Sequence, residues 1–166
     1  MDSAKSKARA GIPVGEDQEK LLAVFISAAS LALAEMAGAE VVAEAICQKT
    51  LSLGDISAVI ELSNDGALVL GFPQKTATAF AGQILKGVVP EPDQDMIRDC
   101  VGEIANVIGG QAKALLAETP FRLVLSMPRG LAGQIPELLP SPSRDCLGVT
   151  FHSDLGEFTM HLIQKR

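Results

Sequence analysis

Four residues that can take part in chemistry recur at short intervals in the stretch DCVGEIANVIGG. They are Asp99, Glu103, Asn106 and Gly110, spaced four, three and four residues apart. A glutamate can form an ion pair with a lysine on a partner, and a carboxamide both donates and accepts hydrogen bonds, so it can hold a water molecule in one orientation. The sequence shows no nucleophile, metal-ligand cluster or phosphate-binding loop that would act together with these four residues. They are therefore suited to assist chemistry that takes place on another molecule.

A helix would bring the four residues onto one face. At about 100° per residue, their side chains fall within a sector of about 60°. The apolar residues of the same stretch gather on the opposite side, and they are Ile97, Val101, Ile104, Ile108, Ala112 and Leu115. The pattern predicts an amphipathic helix whose apolar face lies in the core and whose polar stripe faces outward.

A solvent-exposed face explains Asp, Glu and Asn on any amphipathic helix without further function. Two features weaken that explanation here. Asn and Gly are poor residues for a helix interior, together costing about 1–2 kcal/mol relative to Ala. An exposed glycine also lets another protein surface come close. Lys113, one turn after Gly110, is interpreted as a solvated charge that could contribute to such a contact.

The bulk composition indicates one folded domain. The chain has 166 residues, 48% hydrophobic and 20% charged, with no Trp or Tyr and six Phe, which predicts a core of Ala, Val, Leu and Ile rather than aromatics. A net charge of −6 argues against a nucleic-acid partner, which needs a cationic surface. The polar and basic start, MDSAKSKARAG, predicts a disordered tail over residues 1–15, followed by a domain over 16–166.

The longest uncharged stretch is LLAVFISAASLALA, which spans only 14 residues before Glu35 and follows the acidic GEDQEK. Crossing a bilayer takes about 18 residues, and an export signal favours positive charge before its apolar segment. We interpret the stretch as a buried helix and expect no membrane partner. The cysteines Cys47, Cys100 and Cys146 form no CxxC pair, which favours reduced thiols in a cytoplasmic protein.

Three main helices are predicted. The first runs from about Asp17 to Met36, the second follows Pro73 over QKTATAFAGQILKG, and the third runs from Asp93, whose carboxylate can cap it, to about Ala117.

Strands are predicted between and after these helices, over VVAEAICQ, over ISAVIELSNDGALVLGFP with NDG as its turn, and over FRLVLSMP, CLGVTFHS and EFTMHLIQ. The last two are joined by the turn DLG. The Gly- and Pro-rich RGLAGQIPELLPSPSRD reads as a connection, and its Arg129 and Gly130 as loop residues rather than a phosphate site. The order of elements predicts a single α+β domain with an antiparallel sheet.

The spacing D-x3-E-x2-N-x3-G resembles the helix motif of the CheC/CheX chemotaxis phosphatases, relatives of the rotor-switch protein FliY. The resemblance extends over about residues 17 to 164 and is greatest to the CheX branch. Glu61 and Asn64 also form an ExxN, but at a predicted strand end, where two such side chains cannot share a helical face. ExxN is therefore informative only together with the flanking Asp and Gly on a helix.

CheC-type members carry a second such motif in their first helix. Here the first helix reads AVFISAASLALAEMAG and has no matching Glu and Asn. This favours a CheX-like protein with one active helix per chain. The resemblance also implies a homodimer, which exposed strand edges of an antiparallel sheet would allow.

The resemblance implies that the substrate is a phosphorylated CheY-type receiver domain, which itself carries the aspartyl phosphate, the magnesium and a conserved lysine. By that analogy Glu103 pairs with the receiver lysine and Asn106 orients a water for in-line attack at phosphorus. Asp99 helps to set the docking surface, and Gly110 relieves crowding. No cofactor bound by this chain is expected.

Two alternatives to a phosphatase remain open from the sequence, a non-catalytic binding module and a soluble α+β domain of unrelated function. A non-catalytic module that binds a receiver or a flagellar-switch component could use the same face, because docking and catalysis share residues. His152 and His161 flank the last hairpin turn, but two histidines without a nearby third ligand do not predict a metal site.

Overall fold

The structure of the protein is a computed structural model. It describes residues 16–47, 53–62, 66–119, 129–131 and 144–165. Its helices are α1 (Glu16–Ala37), α2 (Gln74–Ile84) and α3 (Gln94–Leu116). Its strands are β1 (Val42–Cys47), β2 (Ile56–Leu62), β3 (Gly66–Phe72), β4 (Arg129–Leu131), β5 (Arg144–His152) and β6 (Phe158–Lys165). The predicted α+β domain with three helices and an antiparallel sheet is confirmed.

The strands form one sheet in the order β1-β5-β6-β3-β2-β4, and every neighbouring pair is antiparallel. The predicted β2–β3 hairpin is present, with Leu62 opposite Gly66, while the turn residues 63–65 lie outside the described residues. The predicted β5–β6 turn is also present. There Gly156 has a φ of 124°, which favours glycine, and its N–H donates to the Ser153 carbonyl at 3.1 Å.

One predicted loop segment is a strand. Arg129 and Gly130, interpreted as loop residues, belong to β4, which pairs with β2 at the edge of the sheet and sets Gly130 opposite Ala58. A three-residue edge strand depends on backbone pairing with a distant partner, so a Gly-rich sequence gives little sign of it. The strand predicted over FRLVLSMP covers residues 121–128, which lie outside the described residues.

The prediction of a core built from Ala, Val, Leu and Ile rather than aromatics is confirmed for most of the core, but it missed a cluster of phenylalanines. Phe72 and Phe158 stack with ring centroids 4.7 Å apart, Phe151 stacks on Phe158 at 4.9 Å, and Phe80 meets Phe158 edge to face at 5.8 Å. All four rings are fully buried. The few phenylalanines are thus concentrated where the sheet meets the helices, and the aliphatic residues surround them.

Helix α1 is a core helix that packs mainly against α3. By length and mean hydropathy (1.7) its segment Gln18–Ala37 could cross a membrane. Its apolar face is nevertheless buried in the same core as the sheet, through Leu21, Leu22, Phe25, Ala28, Ala29, Ala32, Leu33 and Ala37. The helix ends as predicted near Gly38, which has a φ of 60° and donates its N–H to the Ala34 carbonyl at 3.0 Å.

The starts of α2 and α3 are fixed to each other by side chains. Helix α2 follows Pro73, whose side chain provides no cap, and its first free N–H, on Gln74, donates instead to the carboxylate of Asp55 at 2.8 Å. The amides of Gln74 and Gln94 donate to each other at 3.0 and 2.9 Å. Helix α3 has the predicted cap, since Asp93 accepts from the Met96 N–H at 2.9 Å.

Candidate functional site

The four motif residues share one exposed face of α3. Asp99, Glu103, Asn106 and Gly110 are all exposed. On the opposite side of the helix the buried residues hold it against the sheet and the other helices, and these include Ile97, Val101, Ile104, Ile108 and Ala112. The carboxylate and the carboxamide are therefore presented to solvent from a helix whose position is set by packing.

Leu115 was expected on the apolar face and lies outside it. It is 44% exposed, whereas the next residue, Leu116, is 2% exposed and fills the core. Leu116 follows the buried Ala112 by four residues, so these two complete the apolar row at the end of the helix. The sequence pattern placed only Leu115 among the apolar residues of the helix, and packing at the last turn buries Leu116 instead.

Gly110 faces open space within the protein. A Cβ built on it meets no atom within 4 Å, and the same holds for Gly102, two turns earlier. Among the described residues nothing requires either position to be glycine, since neither has a positive φ. If crowding selects glycine at position 110, the crowding must come from a second molecule.

Negative and positive side chains are separated along this face of α3. Asp95, Asp99 and Glu103 lie towards the start of the helix and Lys113 towards its end. Asp95 is partly balanced by Arg98, three residues later, at 3.5 Å. The Asp99 and Glu103 carboxylates have no such cation among the described residues.

Cys100 lies beside the motif on the buried side and is 8% exposed. Burial raises the pKa of the Cys100 thiol, and the negative charges of Asp99 and Glu103 raise it further. The thiol therefore stays protonated near neutral pH, where only a thiolate would be an effective nucleophile. The geometry thus argues against thiol chemistry at this face.

The cavity found among the described residues lies away from the motif. One cavity of about 220 Å³ is lined by residues that include Thr150, Glu157 and Thr159, none of which belongs to α3. Glu103 and Asn106 instead stand on an open helical surface. Such a surface can enclose a reacting group only when a partner covers it, so any reaction centre must be brought by that partner.

The second ExxN of the sequence starts on a strand rather than on a helix. Glu61 is exposed on β2, and Asn64 lies outside the described residues. A strand sends successive side chains to opposite faces, whereas three residues nearly complete one turn of a helix. On α3, by contrast, Glu103 and Asn106 lie on one exposed stripe.

The two histidines occupy different surroundings. His152 contacts Glu44 of β1 through Nε2, and its Nδ1 lies 2.8 Å from a carboxylate oxygen of Glu157. His161 is 3% exposed in β6. Across the ranges that the structure describes, no group of three or more His, Cys, Asp or Glu side chains could hold a metal ion.

Comparison with known families gives one match. The family model described as "Chemotaxis phosphatase CheX" matches residues 56–152, which include the whole of α3 and its four motif residues. No curated protein sequence matches this one.

Solved structures share the fold over nearly the whole chain. The chemotaxis protein CheX from Desulfovibrio desulfuricans is 25% identical, with a TM-score of 0.75, and the match covers 86% of this chain and 97% of that one. CheX from Vibrio vulnificus is 21% identical, with a TM-score of 0.73 and coverages of 87% and 99%. A Borrelia burgdorferi structure described as a CheX-CheY-BeF3-Mg+2 complex is 22% identical, with a TM-score of 0.68 and coverages of 88% and 97%.

Proposed function

The chain belongs to the family of the chemotaxis phosphatase CheX, and from this premise we propose that it hydrolyses the aspartyl phosphate of a CheY-type response-regulator receiver in chemotaxis signalling. The reaction replaces the phosphorus–oxygen bond to the receiver aspartate with a bond to water. Its products are inorganic phosphate and the receiver with its aspartate side chain unphosphorylated.

In this proposal the receiver carries the reacting phosphoryl group, and this chain positions the receiver and the attacking water. Glu103 forms an ion pair with the receiver lysine and anchors the complex. Asn106 lies one turn further along the same face and enters the receiver site, where its carboxamide holds a water in line with the scissile bond. Asp99 extends the docking surface towards the start of α3.

The role of Asn106 is orientation rather than proton transfer, because an amide does not titrate. Phosphoryl transfer depends mainly on alignment and on stabilising charge at the phosphoryl oxygens, and a carboxamide that orients the attacking water is an established device in phosphoryl hydrolysis. Magnesium on the receiver would neutralise charge on the phosphoryl group. This chain contributes no cofactor in the proposal.

One observation carries the proposal more than any other. Glu103 and Asn106 share an open, convex helix face with Gly110, where a Cβ would meet nothing within 4 Å. Because these three positions are exposed among the described residues, that geometry suits docking onto a second protein. The fold shared with the Borrelia burgdorferi CheX that is described in complex with CheY supports the same partner class.

A homodimer and a cytoplasmic location complete the proposal. Strand β1 is at one edge of the sheet, and its Val42 is 59% exposed. An unpaired edge of this kind can add a strand from a second copy. Sedimentation or light scattering at several protein concentrations tests the dimer.

The competing function is a non-catalytic module that binds a receiver or a flagellar-switch component. Both functions need the docking face, so loss of binding does not separate them. They differ at Asn106, since a binding module should tolerate alanine there, whereas a phosphatase should lose turnover and retain binding.

The test measures phosphate release from a phosphorylated CheY-type receiver with magnesium, for the wild type, Glu103→Gln and Asn106→Ala. Binding to the receiver activated with beryllofluoride is measured in parallel. Glu118→Gln makes the same change in charge outside the motif and is the control. We expect wild-type acceleration, about 100-fold slower turnover with near wild-type affinity for Asn106→Ala, and weaker affinity for Glu103→Gln.

Binding by the wild type without acceleration, over a panel of receivers from chemotaxis systems, would favour the binding module. Neither binding nor acceleration over that panel would reject both functions.

A further inference from the structure

Lys113 is the one cation on the motif stripe among the residues that the structure describes. Measured from Asp99 at about 100° per residue, it lies at about −40°, beside Asn106 at about −20°. It is exposed and belongs to the last turn of α3. It therefore lies on the same side of the helix as Asn106, further along the axis, and about 80° around the helix from Glu103.

No ion pair with the residues that the structure describes accounts for this lysine. An intrahelical ion pair needs a carboxylate three or four residues away, and those positions hold Gly109, Gly110, Leu116 and Ala117. Arg98 shows the contrast, since it pairs with Asp95 three residues before it. Lys113 forms no ion pair with the described residues.

The stripe therefore has a polarity. Carboxylates occupy its first half, the water-orienting carboxamide lies in the middle, and a free ammonium stands at its end. Lys113 is about 10 Å from Asn106 along the helix axis, too far to reach a phosphoryl group that Asn106 approaches. An ammonium at that distance would meet the receiver surface beside the phosphorylation site.

We propose that Lys113 is a specificity-determining residue of the phosphatase, which forms an ion pair with a carboxylate on the receiver surface about 10 Å from the phosphorylated aspartate. The proposal rests on the proposed function. Glu103 pairs with a cation of the receiver and Lys113 with an anion, so the two contacts together admit the receiver in one orientation along α3. Receivers without a carboxylate at that place would be poorer substrates.

The opposing explanation is a local one. A cation in the last turn of a helix interacts favourably with the helix dipole, and Lys113 meets that condition. A lysine that serves only the dipole would affect stability and leave receiver recognition unchanged. The two explanations therefore differ in KM, in affinity and in their salt dependence.

The experiment compares Lys113→Gln and Lys113→Glu with the wild type in two assays. The first gives kcat and KM for phosphate release from the phosphorylated receiver, at low and high ionic strength. The second gives the affinity for the beryllofluoride-activated receiver, which needs no turnover. Lys86→Glu is the matched control, because Lys86 is an exposed lysine just after the end of α2.

We expect KM and Kd to rise about 3-fold for Lys113→Gln and about 10-fold for Lys113→Glu, with kcat within about 2-fold of the wild type. Salt should weaken wild-type binding more than binding of Lys113→Gln, since one ion pair is already lost in the variant. Changing a carboxylate of the receiver to lysine should restore the affinity of Lys113→Glu, and that rescue identifies the contact.

Wild-type KM and affinity in Lys113→Glu, or an effect no larger than that of Lys86→Glu, would overturn the inference. A lower Tm with unchanged affinity would assign Lys113 to the helix dipole instead. A wild type that binds the receiver without turnover would reject the proposed phosphatase, while the affinity arm would still decide whether Lys113 docks.

Discussion

Gly110 lies one helical turn after Asn106 on the exposed face of α3, and a Cβ at Gly110 would meet no described atom within 4 Å beyond the adjacent helix backbone. The carboxamide is thus followed by a position where the side chain is missing although the fold leaves room for one. Glycine in a helix interior costs about 1 kcal/mol relative to alanine. If close approach selects glycine at position 110, the approaching surface belongs to a partner, and comparison with another open helical glycine tests this.

Gly110→Ala should separate folding from docking. We expect the free energy of unfolding to rise by about 1 kcal/mol, because alanine favours the helix and meets no clash. We expect receiver affinity to fall at the same time, because the added methyl group projects into the contact. Urea unfolding and binding to the beryllofluoride-activated receiver measure the two effects.

Gly82→Ala is the control for this prediction. Gly82 lies in α2, and a Cβ there also meets nothing within 4 Å. The two variants should gain similar stability, and only Gly110→Ala should weaken binding. Equal affinities in both variants would show that no partner comes close to position 110.

Asn106→Ala should increase stability slightly while it removes turnover. Asn106 is exposed, so its replacement by the better helix former alanine should raise the free energy of unfolding by about 0.5 kcal/mol. A core residue would show the opposite sign. If thermal or urea unfolding shows Asn106→Ala to be destabilised by more than about 1 kcal/mol, any loss of activity could no longer be assigned to the water-orienting role.

The boundaries of α3 could be predicted because its signals are local. The Asp93 cap and the apolar periodicity lie within the helix itself, and the predicted span from Asp93 to Ala117 differs from the observed Gln94–Leu116 by one residue at each end. The exposure of Glu103 and Asn106 follows from the same periodicity.

The parts that depend on distant partners could not be predicted. Strand β4 exists through backbone pairing with β2, and Asp55 caps α2 from 19 residues before Gln74. The exposure of Leu115 depends on packing at the last turn, where Leu116 fills the core. The four packed phenylalanine rings belong to four different elements, β3, α2, β5 and β6. Composition does not reveal that these rings meet in the folded protein.

Asp55→Ala should destabilise the domain by about 1 kcal/mol, because α2 would lose the carboxylate that accepts its first N–H. Pro73 has no side-chain acceptor to replace it. Urea unfolding measures the change, and turnover per folded molecule should stay unchanged, since Asp55 lies outside the motif face.

Glu91→Ala removes an exposed carboxylate between α2 and α3 and is the matched control. It should change the free energy of unfolding by less than about 0.5 kcal/mol. A cost for Asp55→Ala no larger than that for Glu91→Ala would show that the N–H of Gln74 is satisfied equally well by water.

The pKa of the Cys100 thiol, on the buried side of α3, depends on the charges of the motif. Burial, Asp99 and Glu103, in decreasing order, raise the pKa of its thiol. Because the fold favours the neutral thiol, Cys100 supports the native state at neutral pH, and that contribution is lost as the pH rises through the folded-state pKa.

The pH profile of Cys100 alkylation, followed on its peptide by mass spectrometry, should therefore be displaced to higher pH relative to the same peptide in the unfolded chain. Asp99→Asn should move the profile back part of the way, whereas Asp95→Asn, one turn earlier, should leave it in place. A native-state profile at or below that of the unfolded chain would contradict the shift and would reopen thiol chemistry at this face.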